Sequence, residues 1–258
     1  MDTTAYLGRI GLDASDVSHT YEFLEKLQRH HICSVPYENL DILNGIPLSL
    51  EADALYDKIV TRHRGGYCFE LNGALTALLR ALGFSVTEYT ARFLKNETTI
   101  PVRRHRVVVV ACEGERYVCE VGIGQNAPRF PLLLQEGAVQ YGDGEAYKLE
   151  KEPFLGWVIY ELREDAWRPY YAFTEEEQLP IDFIQPSFYC EKHPDSPFHQ
   201  SVMVAIKTSD GRRAVNGRDY KVFRGDELVS IEENISDERL YEILREFFGI
   251  EWEWKRDV

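Results

Sequence analysis

A cysteine stands where a glycine turn gives way to a helix in Arg64-Gly65-Gly66-Tyr67-Cys68-Phe69-Glu70-Leu71-Asn72. Leu71, Leu75, Leu78 and Leu82 then recur at helical spacing as far as Gly83, a residue suited to the left-handed stop of a helix. Cys68 therefore falls in the first helical turn, where unpaired backbone N–H groups and the positive end of the helix dipole favour a thiolate, the reactive form of the side chain. Gly65 and Gly66 permit close approach of the backbone to a ligand. The chemistry this placement suits is nucleophilic catalysis by sulfur, which calls for a histidine and an orienting third group supplied from elsewhere in the chain.

Two downstream runs supply both. His105-Arg106-Val107-Val108-Val109-Val110-Ala111-Cys112 is rich in β-branched residues and ends at the turn Glu113-Gly114-Glu115, after which Arg116 to Gly122 returns. The pair reads as a β-hairpin with His105 at the start of one strand and Glu120 near the end of the other, close neighbours in an antiparallel pairing. A Glu120 carboxylate on one ring nitrogen of His105 would set its tautomer and leave the second nitrogen for Cys68.

The elements that must hold these residues follow from periodicity. Ser18 and the Tyr21-Phe23-Leu24-Leu27 pattern predict a helix, and Ser49 precedes another with Ala52, Leu55 and Ile59 facing inward. With the Cys68 helix they form a helical N-terminal region. From about Ser85 to Thr174 the period becomes that of strands, including Val86–Tyr89, the His105 hairpin, Trp157–Tyr160 and Trp167–Tyr171, which predicts an antiparallel barrel or curved sheet. Glu175-Glu176-Glu177 and the prolines after it mark a connecting region. Strands are then predicted at 201–208, 219–224 and 227–231, with turns at Asp210-Gly211 and Gly225-Asp226, before a helix capped by Ser236, faced by Leu240, Ile243, Leu244 and Phe247 and ended by Gly249. The fold class is α+β, divided as 1–84 carrying the cysteine, 85–190 carrying His105 and Glu120, and 191–258.

The chain resembles the arylamine N-acetyltransferase family. The motifs that carry the resemblance are Pro36-Tyr37-Glu38-Asn39-Leu40, Arg64-Gly65-Gly66-Tyr67-Cys68, His105 followed by valines, and Ser196-Pro197-Phe198. One position departs from the pattern: where the family usually has aspartate in a Val-Asp-Val-Gly-Phe-Gly run, this chain has Cys119-Glu120-Val121-Gly122-Ile123-Gly124. Glutamate keeps the charge and acceptor oxygens but adds a methylene, so reach must be adjusted elsewhere. The resemblance implies a papain-like Cys-His core between a helical bundle and a β-barrel with a C-terminal α/β lid, and a ping-pong transfer of acetyl from acetyl-CoA through Cys68 to an arylamine or arylhydrazine. It further implies that the Gly122–Asn126 loop, Gly124 included, lines the acyl-donor cleft, and that Tyr37, Phe93 and Phe198 are candidates for the acceptor pocket. Arg103, Arg104 and Arg106 around His105, with Arg129, Arg212 and Arg213, are candidate coenzyme A ligands, and Glu38 with Arg64 a structural ion pair.

Composition bounds the alternatives. The 258 residues, 44% hydrophobic, suffice for a large core, and no apolar run approaches a membrane span. Met1-Asp2-Thr3-Thr4 lacks a signal core, and five cysteines are an odd number without a regular framework. Both point to a cytoplasmic protein. A formal charge of −14 argues against nucleic-acid binding and requires a local basic patch wherever coenzyme A phosphates sit. His30-His31 and the other histidines lack metal-ligand spacing with the cysteines, so no metal is expected. The same triad would also serve a thiol hydrolase, a transglutaminase-like enzyme or a biosynthetic amide-forming enzyme. A chain silenced by Glu120 would be a binder of aromatic compounds. Oligomeric state is not legible in the sequence.

Overall fold

The computed structural model describes residues 1–255. Five helices come first: α1 (Thr3–Arg9), α2 (Tyr21–Ser34), α3 (Leu40–Leu43), α4 (Ala52–Tyr56) and α5 (Cys68–Ala81), with a two-residue strand β1 (Tyr37–Glu38) between α2 and α3. Eight strands follow, β2 (Ser85–Phe93), β3 (His105–Cys112), β4 (Glu115–Cys119), β5 (Leu132–Leu133), β6 (Val139–Gly142), β7 (Glu145–Glu152), β8 (Gly156–Arg163) and β9 (Ala166–Phe173). Helix α6 (Ile184–Lys192) leads into β10 (Met203–Lys207), β11 (Gly211–Asn216), β12 (Asp219–Arg224), β13 (Glu227–Glu232) and α7 (Asp237–Phe248). The fold is α+β.

The eight strands β2 to β9 form one antiparallel, barrel-like sheet in the order β5-β4-β3-β2-β9-β8-β7-β6. Strand β3 shows why its valines run without interruption. Val108, Val110 and Cys112 pack into a core shared with α1, α2 and α5, while Val107 and Val109 face a second core with Tyr147, Trp157 and Tyr171. Alternate side chains thus bury on opposite faces, and a strand buried on both needs apolar residues at every position. The first core crosses from the helices into the sheet and anchors α5 against β3.

A second antiparallel sheet has the order β1-β10-β11-β12-β13, with Tyr37 opposite Ala205 and Glu38 opposite Val204. The segment before the Cys68 loop is therefore an edge strand of the C-terminal sheet, and α7 covers that sheet through Leu240, Ile243 and Leu244. Ser236 accepts from the Arg239 N–H at 3.2 Å, and Gly249 closes α7 at φ +66°, as predicted.

Several elements differ from expectation. The cap of α2 is Thr20, not Ser18, with its hydroxyl accepting from the Phe23 N–H at 3.4 Å. Ala52 is exposed because α4 gives way after one turn to a π turn over 57–61 that carries Lys58, Ile59 and Val60 inward. The connecting region after Glu177 contains α6, and Gly211 opens β11 where only a turn was expected. Among the described residues no helix is long and apolar enough to cross a membrane.

Candidate active site

Cys68 is the first residue of α5, and a tight backbone approach puts it there. A Cβ at Gly65 would lie 1.9 Å from the carbonyl oxygen of Pro36, so only glycine lets this loop run beside β1, where the Glu38 N–H donates to the Gly66 carbonyl at 2.9 Å. Behind the loop lies a buried charge cluster. Arg64 reaches Glu38 at 2.7 Å and Asp41 at 3.0 Å, while Lys58 reaches Asp41 and Glu70 at 2.8 Å each. The predicted Glu38–Arg64 pair is thus one edge of a five-residue network. Burial works against the Lys58 ammonium, but the surrounding Glu70, Glu38 and Asp41 carboxylates outweigh it and hold the lysine above its ordinary range. Glu70 also accepts from the Tyr67 N–H at 3.2 Å, closing the start of α5.

Glu120 lies just beyond β4, and its side chain reaches back to His105, with Oε2 2.7 Å from the ring Nε2. The other oxygen, Oε1, accepts from the Asn72 amide at 2.8 Å and the Gly122 N–H at 2.6 Å. Gln28 fixes the backbone, its Oε1 accepting from the Glu120 N–H at 2.9 Å. Both carboxylate oxygens are therefore occupied in a site where Cys68, His105 and Glu120 are all buried. At Gly122 a Cβ would lie 2.8 Å from the Cys68 Cα, so the loop after Glu120 presses directly on the start of α5.

Burial opposes the ionisation expected from helix position. Removal from water pushes the Cys68 thiol well above the ordinary cysteine range, Cys190 and Glu120 push the same way, and the backbone N–H groups of Phe69 and Arg106 offset only part.

A cavity of about 280 Å³ is lined by Cys68, His105, Tyr37, Phe93, Phe198 and Gly124, among others. It gathers the predicted nucleophile and histidine with all three predicted aromatics and the glycine of the Gly122–Asn126 loop. The Phe93 ring stands edge-on to His105 with centroids 6.4 Å apart.

Of the candidate arginines, Arg104 lines this cavity, Arg103 reaches Glu176 at 3.1 Å, Arg106 is buried against Glu88 at 2.6 Å, and the other three fall elsewhere. Arg129 is buried and donates to the carbonyls of Thr208 at 2.9 Å and Gly211 at 2.8 Å, gripping the β10–β11 turn. Arg213 lies over the Phe247 ring, 4.7 Å from its centroid, against α7. Arg212 binds Asp226 at 3.1 Å in the wall of a neighbouring cavity. None of these three lines the Cys68 cavity, because local sequence shows a charge but not the carbonyls and rings that occupy it.

Sequence reasoning missed Asn72, Gln28 and two charged residues of the cavity wall, Lys95 and Glu97. Asn72 had a signal: it follows Cys68 by four residues, so the two share a helix face. Gln28 had none, being 92 residues from its partner.

A family model described as N-acetyltransferase matches residues 20–258. The arylamine N-acetyltransferase of Mycobacterium tuberculosis is 36% identical, the match covering 97% of this chain and 89% of that protein. A protein of Salmonella typhimurium named arylamine N-acetyltransferase / N-hydroxyarylamine O-acetyltransferase is 31% identical, with 90% and 83% covered. Among solved structures, that of the Salmonella typhimurium arylamine N-acetyltransferase superposes with a TM-score of 0.92 at 29% identity, covering 100% of this chain and 93% of the other. The Mycobacterium marinum enzyme, solved in complex with CoA, gives 0.89 at 32% identity, with 97% and 93% covered.

Proposed function

The chain belongs to the arylamine N-acetyltransferase family, and from that premise we propose that it transfers the acetyl group of acetyl-CoA to an arylamine or arylhydrazine through an acetyl-Cys68 intermediate. The observation that carries this reading is the 2.7 Å contact of Glu120 with His105 Nε2 at the wall of the cavity that also holds Cys68. With Nε2 engaged, Nδ1 is the nitrogen that serves the sulfur.

The buried thiol makes that service essential. As the Cys68 Sγ bonds to the thioester carbon, its proton passes to His105, and Glu120 stabilises the imidazolium. The Cys68 and Phe69 N–H groups at the start of α5 meet the developing oxyanion. The carbon–sulfur bond to coenzyme A then breaks, and His105 returns the proton to the departing thiolate. In the second half the acceptor nitrogen attacks acetyl-Cys68, its proton goes to His105 and from there to Cys68 Sγ. Tyr37, Phe93 and Phe198 flank the acceptor ring. In this reading residues 1–84 supply the nucleophile, 85–190 the histidine and glutamate, and 191–258 a lid.

The test is intact mass after mixing the protein with acetyl-CoA alone, followed by peptide mapping and addition of an aniline. One acetyl group on Cys68, stable without acceptor and discharged by the amine, is the expected result. Rapid loss of the acetyl group to water would make the protein a thiol hydrolase. An unmodified protein that binds the aniline without turnover would make it a silent binder.

A further inference from the structure

The Cys68 cavity shares Lys95, Glu97 and Asn126 with a second cavity of about 750 Å³. In that second wall two arginines from different sheets meet one carboxylate. Arg163, the last residue of β8, donates from Nη1 to both oxygens of Asp226 at 2.9 Å, and Arg212 of β11 donates to Oδ1 at 3.1 Å. Asp226 sits on the β12–β13 turn beside Gly225 at φ +54°, with its side chain 68% exposed. Arg163 also reaches Glu161 at 3.2 Å, and Glu161 in turn holds Lys95 at 2.6 Å.

This chain of contacts contains three cations, Lys95, Arg163 and Arg212, against two carboxylates, Glu161 and Asp226. The rest of the cavity wall adds Arg168 against Glu97 and Glu164, so the wall as a whole is neutral in a protein whose formal charge is −14. Arg212 Nε is buried without a partner, its guanidinium carbon lies 3.9 Å from the centre of the Phe223 ring, and its Nη1 also donates to the Gly225 carbonyl at 2.8 Å. A planar donor fixed on a ring and a second guanidinium converging on the same point form a fork suited to phosphate oxygens. Their present partner is weakly held, because exposed ion pairs contribute little and an aspartate on a glycine turn moves aside easily.

Resting on the acyl-CoA reading above, we propose that Arg163 and Arg212 form the docking station for phosphate groups of the acyl donor, and that Asp226 occupies it as an internal surrogate until the donor arrives. The acyl arm then runs past Asn126 and Lys95 to Cys68. Arg129 and Arg213 take no part, since their guanidiniums are committed to the β10–β11 turn and to α7. Asp226 competes with the ligand, so the station has a residue whose removal strengthens binding.

Calorimetric titration with coenzyme A tests this in the parent, Arg163→Gln, Arg212→Gln and Asp226→Asn. Each arginine variant should bind coenzyme A about tenfold more weakly, the loss of one charge-assisted contact. Asp226→Asn should bind it about threefold more tightly, and its exposed turn position keeps this arm decisive if an arginine variant loses fold stability. Acetyl transfer from S-acetylpantetheine, which has no phosphate, should be unchanged in all three. Equal coenzyme A affinity in the arginine variants, weaker binding in Asp226→Asn, or no binding by the parent would overturn the station. Failure of the parent to acetylate Cys68 from either donor would instead sink the acyltransferase reading, while the titrations still decide the station.

Discussion

Glu120→Gln is the substitution whose outcome the geometry constrains most tightly. A carboxylate serves three donors here: His105 Nε2 on one oxygen, and the Asn72 amide and Gly122 N–H on the other. An amide has one oxygen and one NH₂. If the oxygen stays with Asn72 and Gly122, the NH₂ faces His105 Nε2 and forces the ring proton to Nδ1, where a lone pair is needed for the thiol. If the amide flips, the NH₂ abuts two donors in a buried site. Each arrangement forfeits a charge-assisted hydrogen bond worth about 1.5–3 kcal/mol and leaves a buried donor unpaired at about 1–3 kcal/mol. A combined loss of about 3–5 kcal/mol corresponds to a fall of about 10²- to 10⁴-fold in acylation rate. Glu120→Asp keeps the charge but is a methylene shorter. Gln28 pins the Glu120 N–H at 2.9 Å, so the backbone cannot follow, and the carboxylate serves either His105 or the Asn72–Gly122 pair. A loss of about tenfold is expected, one weakened contact. The assay is coenzyme A release from acetyl-CoA in a single turnover, with thermal melting as a control for fold. A Glu120→Gln protein that acylates within threefold of the parent would refute the argument.

Two further outcomes follow from buried charge. Burial, assisted by Arg9, pulls His31 down to about 3, and its Nδ1 is buried with no partner to accept a proton. The unfolded chain binds that proton near pH 6.5 while the folded chain does not, so this contribution to stability is intact above pH 6.5 and is lost as pH falls from there toward 3. The loss is about 1.4 kcal/mol per pH unit, or about 2 kcal/mol at pH 5, and urea titrations of the parent and His31→Gln at pH 7 and 5 should differ by that slope. Lys58→Met strands Glu38, Asp41 and Glu70 with Arg64 as the cluster's remaining cation, and should cost about 3–5 kcal/mol in urea unfolding. A loss under about 1 kcal/mol would show that the cluster is not held by its charges.

What was legible in the sequence was local. The Cys68 helix, the His105 hairpin and α7 each carry a period and a stop within their own residues, and all three form as read. Helix α6 was hidden because Pro186, in its first turn, reads as a break in the sequence and because Ile184 and Phe188 remain exposed, so no single apolar stripe marks a buried face. Strand β11 was hidden because Arg212-Arg213 follows a glycine and resembles the end of a turn. Its pairing to β10 and β12 rests on neighbours outside the segment. The burial that opposes Cys68 ionisation was hidden for a related reason: helix position is local, whereas burial depends on the whole fold.

The partners of Glu120 show what lies between those extremes. Asn72 donates to the Arg106 carbonyl at 2.6 Å and to Glu120 at 2.8 Å, and its Oδ1 accepts from the Val121 N–H at 3.1 Å. One side chain on the Cys68 face of α5 therefore ties the helix to both strands of the hairpin. The register of α5 that presents the sulfur also places the amide that holds the carboxylate, so the Cys68 sulfur and the Glu120 carboxylate cannot drift independently. A longer acid is accommodated under that constraint because its second oxygen is clamped by Asn72 and the Gly122 N–H, which converts the extra methylene from added freedom into added reach.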